Sequence, residues 1–415
     1  MYVLGAQCTS CDKEWQLSEI HYCCPSCHGN LDICYDYKKL TKQFGRNYFN
    51  NHQQCSIWRY LPLLPLQRTP QISLQLGWTP LYSCGLPHGI RLYLKDEGRN
   101  PSGSLKDRAS AIVLGMAQES SRPQVSTAST GNAGSSLACL AANLGIPTTV
   151  FLPRNAPEAK IAQLAIFGAR LFLVNGNYDD AYDLCLKASE QWGWYNRSTG
   201  YNPFTREGKK TCAYEICEQL DWNVPDWVLV SVGDGNTISG LWKGFQDLYN
   251  IGLIERLPRL AGVQSTLSNA IAKTVQSFKN GKPIPVMQVK ASTIADSISV
   301  NFPRDGNMAV KAILESQGEA VEVSDDEILE GIRTVAQTWG IFGEPAAVAS
   351  YVGFEKLCGH NQIRSGEVVV CVITGNGLKD IAATAKAPHV SNIATVEPEI
   401  KDLTRKIPSE ENIYC

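Results

Sequence analysis

Among its 415 residues the chain carries no excess of either charge: 38 Lys and Arg stand against 40 Asp and Glu, a formal charge of -2. Nucleic acid or an anionic membrane would need a basic field to hold it, and the sequence offers none. Long apolar runs are missing too, and no stretch reaches the length of a bilayer-spanning helix. Met1 to Cys8 show neither a basic nor an apolar leader region, so a secretory signal is not expected. Internal repeats and low-complexity segments are lacking. Hydrophobic residues make up 44% and charged residues 19%, which excludes a disordered chain and leaves enough apolar surface for a large core. The expectation is a soluble, cytoplasmic protein. At ~150 residues per domain it is long enough for two or three domains.

Cysteine is what the sequence has in plenty. The 15 cysteines are odd in number, and without an export signal most should be reduced thiols. Many lie in apolar runs, such as Cys139 and Cys371, where a free Cys behaves as a small hydrophobe. The exception is near the N-terminus. Cys8-Thr-Ser-Cys11 and Cys24-Pro-Ser-Cys27 are paired CxxC knuckles at ribbon-like spacing. Each knuckle turns two thiolates to one side, and two knuckles supply the four corners of a zinc tetrahedron. Cys23 and His21 are alternative ligands. The segment tilts acidic, which speaks against a nucleic-acid-binding ribbon.

Beyond residue 90 strand and helix patterns alternate. Arg91–Lys95, Gln124–Ala128, Thr148–Leu152, Arg170–Val174, Asp226–Val232, Leu260–Gln264 and Glu367–Ile373 read as strands. Helical patterns cover Ser104–Gln118, Ala133–Asn143, Pro157–Phe167, Tyr178–Trp192, Thr211–Leu220 and Ile238–Tyr249. Continuous β-branched runs between helices predict parallel sheets covered on both faces, an α/β architecture.

Four segments carry chemistry. The turn Asn100-Pro-Ser-Gly-Ser-Leu delivers Lys106 into the first turn of a helix, where the helix dipole disfavours an ammonium and favours a nucleophilic amine. Ser129-Thr130-Gly131-Asn132 lies between a strand and a helix and offers hydroxyls, an amide and backbone N–H groups to a small carboxylate. Gly233-Asp234-Gly235-Asn236-Thr237 follows a buried strand and opens a helix, the setting in which N–H groups cradle a phosphate. It is neither a Walker loop nor GxGxxG. Thr374 ends another buried strand and places a hydroxyl at the sheet's carboxyl edge. One ligand suits all four: an aldehyde for Lys106, a ring hydroxyl for Asn132, a phosphate for the glycine loop and a ring nitrogen for Thr374. That ligand is pyridoxal phosphate.

KDEGRNPSGSLKDRAS, STGNAGSSLA, SVGDGNTISG and VITGNGLKD together resemble the threonine synthases, among the fold-type II pyridoxal-phosphate enzymes. The likeness covers about residues 8 to 380, with TREGKKTCAYEI, IFGEPAA and the cysteine knuckles included. It implies a zinc-ribbon-like arm (1–36), a large cofactor-binding domain (37–104 and 195–383), a small domain (105–194) and a C-terminal tail (384–415). It further implies a homodimer and a cofactor lying between the two α/β domains. Lys106 would hold the cofactor as an aldimine and then shuttle protons, converting O-phospho-L-homoserine and water to L-threonine and phosphate. Asn132, Gly233, Asp234, Gly235, Asn236, Thr237 and Thr374 would bind the cofactor. Ser129, Thr130, Gly131 and Arg206 would bind the substrate, and Cys8, Cys11, Cys24 and Cys27 one structural zinc.

Three positions depart from the family pattern. Leu105 stands where Phe is common, and Ala133 where a Thr hydroxyl often meets substrate phosphate. Thr205 holds the usual Arg place, with Arg206 one position late. The same chemistry on serine, threonine, phosphoserine or diaminopropionate, by β-elimination or β-replacement, is the alternative enzyme reading. A zinc-ribbon scaffold with a decayed catalytic body is the alternative of another class.

Overall fold

The computed structural model describes residues 2–16, 22–85, 89–122, 124–387 and 395–406. Its strands are β1 (Val3–Cys8), β2 (Glu14–Gln16), β3 (Leu31–Tyr35), β4 (Leu81–Ser83), β5 (Arg91–Asp96), β6 (Val125–Ala128), β7 (Thr148–Pro153), β8 (Arg170–Val174), β9 (Tyr195–Asn196), β10 (Trp227–Ser231), β11 (Arg259–Ser265), β12 (Glu319–Val323) and β13 (Val368–Ile373). They make three sheets. The arm is a small antiparallel sheet in the order β2-β1-β3. The largest sheet runs β12-β11-β10-β13-β5-β4, parallel throughout except where β4 pairs antiparallel with β5. The third, β8-β7-β6-β9, is wholly parallel.

Parallel strands need helical crossovers, and helices on both faces bury both sets of side chains. In β10, Val228 and Val230 join one apolar cluster while Trp227 and Leu229 join another. β13 divides the same way, with Val370 and Val372 on one side and Val369, Cys371 and Ile373 on the other. A period of two along a continuously apolar strand therefore builds two cores back to back. β6 and β7 are buried along their whole length, while β8, at an edge, leaves Phe172 and Leu173 partly exposed.

The sequence-based element ranges match within one or two residues wherever an element was drawn. β9 carries the small sheet to Asn196, two residues past the expected boundary at 194. Residues 384–415, expected to have no regular structure, contain a helix over Ile400–Lys406. No helix among the described residues is long and apolar enough to cross a membrane.

Candidate active site

The carboxyl ends of β6, β10 and β13 converge on a cavity of about 540 Å³, whose lining includes Lys106, Asn132, Lys209, Asn236 and Thr374. Open parallel sheets bind ligands at this edge, where strand ends and helix N-termini face one another.

Lys106 opens the helix Lys106–Glu119. Asp107, next along, accepts from the backbone N–H (2.7 Å) and hydroxyl (2.5 Å) of Ser102, so the acidic side chain clamps the turn at the positive end of the helix. Leu105 N–H donates to the Thr374 carbonyl at 2.9 Å, and Asn376 N–H to the Gly103 carbonyl at 2.9 Å. These bonds stitch the lysine turn to the end of β13. Below it, Arg108 donates to both oxygens of Glu97 (2.7 and 2.7 Å) and of Glu215 (2.6 and 2.6 Å), and Lys95 joins Glu215 at 2.7 Å. This buried network fixes the helix that carries Lys106. Burial pushes the Lys106 amine below the ordinary lysine value, with the Glu344 carboxylate opposing and the Arg197 guanidinium adding to the shift. A neutral amine is the nucleophilic form.

Asn132 begins the helix Asn132–Leu144, with Gly131 rather than Asn132 at the cap position. Its Nδ2 donates to Glu344 Oε1 at 2.7 Å and to Ser297 Oγ at 3.2 Å. Ser129, Thr130 and Gly131 line the same wall. Thr374, almost fully buried, lines the cavity from the end of β13.

The glycine loop 233–237 joins β10 to the helix Asn236–Asn250. Gly235 takes φ +96°, and a Cβ there would meet the Asp305 carbonyl at 2.6 Å, so the turn demands glycine. The first N–H groups of the helix have no intrahelical partner and are free for an anion. Asp305 holds the loop from behind: its N–H donates to the Asp234 carbonyl (2.9 Å), and its Oδ2 accepts from Asn236 Nδ2 (2.6 Å). Lys209 Nζ donates to Asn236 Oδ1 at 2.6 Å.

Arg206 is the expected substrate ligand that the structure moves elsewhere. Its guanidinium donates to Asp305 (2.9 and 3.2 Å), to Asp32 Oδ1 (3.1 Å) and to the Leu31 carbonyl (3.1 Å), and it does not line the cavity. The short helix Phe204–Lys209 turns position 206 toward the arm and position 209 toward the cavity. Thr205 is buried and donates to the Asn202 carbonyl at 2.7 Å. Arg206 therefore ties β3 to the glycine loop.

In the arm, the sulfurs of Cys8, Cys11, Cys24 and Cys27 lie within 4.8 Å of one another, with Cys8–Cys27 at 3.4 Å and Cys11–Cys24 at 3.8 Å. Thiolates on tetrahedral zinc sit about 3.8 Å apart, so these four fit the metal and close its coordination. Cys23 turns away to the Tyr201 carbonyl at 3.9 Å, and burial raises its thiol to about 11. His21, the other alternative ligand, lies outside the described residues.

Glu344, Asp305, Arg197 and Lys209 were not singled out from sequence. Glu344 had a weak signal, as the residue before Pro345 at a helix start. Asp305 had none.

Pyridoxal phosphate fits this donor set: a desolvated amine at a helix start, a glycine turn with free N–H groups, and a hydroxyl at a strand end on one cavity. A family model described as pyridoxal-phosphate dependent enzyme matches residues 72–375. The chain is 38% identical over 387 residues to a threonine synthase of Methanocaldococcus jannaschii, spanning 92% of this chain and 94% of that one. It is 37% identical over 380 residues to a threonine synthase of Methanosarcina acetivorans, spanning 90% and 92%. A solved threonine deaminase isoform 2 from Solanum lycopersicum shares the fold, with a TM-score of 0.61 at 19% identity over 80% of this chain and 95% of that one. The fold and its cavity are thus those of a fold-type II pyridoxal-phosphate enzyme. Within that class, the chain belongs to the threonine synthase family.

Proposed function

We propose that the protein is a carbon–oxygen lyase that converts O-phospho-L-homoserine and water to L-threonine and phosphate. The observation that carries this reading is the Lys106 amine, desolvated by burial and set in one cavity with Thr374, Asn132 and the Gly235 turn. When bound, the cofactor supplies an electron sink for carbanions next to the substrate amine.

The chain's own groups do the rest. Gly233, Asp234, Gly235, Asn236 and Thr237 would hold the cofactor phosphate through the start of their helix. Thr374 would offer the ring nitrogen a neutral hydroxyl, which does not demand a protonated ring. Asn132, oriented by Glu344 and Ser297, would serve the ring hydroxyl. Ser129, Thr130 and Gly131 take the substrate carboxylate at the neighbouring helix start. Lys106 would hold the cofactor through its amine. When free, the same amine would be the base that moves protons along the substrate's carbon chain. The Cγ–O bond breaks with loss of phosphate, and water adds at Cβ.

The cysteine quartet would hold one structural zinc, with no position left for a water. We read the protein as a cytoplasmic homodimer. The free state of the fourteen cysteines among the described residues suits a reducing compartment.

A second reading, elimination or replacement at Cβ of a substituted alanine, is favoured by Ala133 and by the seat of Arg206 away from the cavity. The test is turnover of O-phospho-L-homoserine by the cofactor-loaded protein with product identification. Threonine and phosphate in equal amounts are expected. Consumption of O-phospho-L-serine or diaminopropionate, with O-phospho-L-homoserine untouched, would replace this reading by the second.

A further inference from the structure

Among the described residues, and apart from the half-buried Lys106, the buried cations have carboxylate partners with two exceptions. Arg59, Lys95, Arg108, Arg206, Lys210 and Lys243 each form an ion pair. Arg197 and Lys209, also buried, form none among the described residues. Lys209 lines the cavity that holds Lys106, and Arg197 lies directly behind Thr199, which also lines it.

Arg197 follows β9, and its N–H donates to the Ser126 carbonyl at 2.8 Å, which continues the parallel pairing and sets it beside Thr127. Its Nη1 donates to Thr199 Oγ1 at 2.6 Å and its Nε to Ser110 Oγ at 3.3 Å, while Nη2 is buried with no partner. Thr127 Oγ1 is likewise buried and unpartnered. Thr127, Thr199 and Lys209 all line the cavity. Among the described residues, Lys209 Nζ hydrogen-bonds the amide oxygen of Asn236 alone. Carboxylates are near but engaged: Asp107 with Ser102, Asp305 with Arg206, Asn236 and Ser239, and Asp234, on the cavity wall, with the Arg304 N–H.

Desolvation drives the Arg197 guanidinium down to about 10 and Lys209 well below the ordinary lysine value, and the positive charges of Lys106 and Arg197 add to the shift on Lys209. An unpaired buried cation is costly to the fold unless an anion completes the site. Arginine with flanking hydroxyls is the donor set that suits a tetrahedral oxyanion.

We propose that Arg197 and Lys209, with Thr127 and Thr199, form the seat for the acidic side-chain group of the substrate, a phosphate ester or a like tetrahedral oxyanion. The seat does the work that Thr205 cannot do and that Arg206, facing the arm, does not. It rests on the proposed reaction for the identity of the substrate, but not for the existence of the anion site. The same chemistry has a second source, the phosphate of the cofactor itself, because Lys209 adjoins Asn236.

The test is calorimetric titration of the cofactor-loaded protein with inorganic phosphate, with Arg197→Met, Arg197→Lys and Lys209→Gln alongside. One phosphate per chain is expected in the loaded protein. Arg197→Met should weaken it by at least about tenfold, as loss of a charge-assisted bond does, and Arg197→Lys should recover part of that. Cofactor affinity, read from visible absorbance, should stay unchanged in Arg197→Met, and KM for O-phospho-L-homoserine should rise with it. Phosphate that binds only to cofactor-free protein would assign the seat to the cofactor and overturn the proposal. So would full phosphate affinity in an Arg197→Met variant that keeps its thermal midpoint. Arg197-dependent phosphate binding without turnover of O-phospho-L-homoserine would keep the seat and sink the proposed reaction. Turnover insensitive to Arg197→Met would do the reverse.

Discussion

Single residues decide where charge sits in this cavity. Lys106 is the amine proposed to hold the cofactor, so borohydride reduction of the loaded protein followed by peptide mapping should find the cofactor on Lys106 and on no other lysine. Label on Lys209 would contradict the assignment. Lys209 makes a separate prediction about stability. Its folded value lies well below the ordinary 10.5, so the unfolded chain binds that proton more tightly. Burial of Lys209 therefore costs the cofactor-free fold stability at neutral pH, whether the proton is kept or given up, and the cost fades as pH rises toward 10.5. Lys209→Gln should raise the thermal midpoint of the cofactor-free protein at pH ~7, with the gap to wild type closing in alkali. A variant less stable than wild type at neutral pH would refute the account of Lys209 as an unpaired buried charge.

At the level of elements, the arm is joined to the cofactor site through a chain of contacts. β3 offers the Leu31 carbonyl and Asp32 to Arg206, Arg206 holds Asp305, and Asp305 holds Asn236 and the Asp234 carbonyl. Cys24→Ser should lose zinc and loosen β3, and cofactor affinity should fall with it. Arg206→Ala leaves Asp305 buried without its partner, a loss of roughly 3–5 kcal/mol. It should lower the thermal midpoint and cofactor affinity, with KM for substrate little changed. A selective rise in KM, with unaltered cofactor affinity, would return Arg206 to the substrate.

The parallel strands were legible in the sequence because continuous β-branched runs such as VLVS in β10 and VVVCVI in β13 admit few other structures. β12, with Glu319 and Glu322 in a run of only five residues, lies at an edge and gives a weaker strand signal. The lysine turn, asparagine loop, glycine loop and cysteine knuckles were readable because each is a local turn with a fixed residue order. Glu344 and Asp305 were not, since their partners stand 212 and 69 residues away. Position 206 shows the limit of pattern reading. One residue of shift along a short helix sent its guanidinium to the arm and left position 209 facing the cavity.

At the scale of the whole molecule, the small and large sheets meet over a cavity whose polar groups answer a cofactor and an anionic amino acid together. Both would serve the one proposed reaction, loss of phosphate by C–O cleavage followed by addition of water at Cβ. The most direct measurement is turnover of O-phospho-L-homoserine in heavy-oxygen water, with mass analysis of both products. The predicted result is threonine carrying one solvent oxygen in its hydroxyl and phosphate carrying none. Homoserine with solvent oxygen in the phosphate, or no threonine at all, would contradict it.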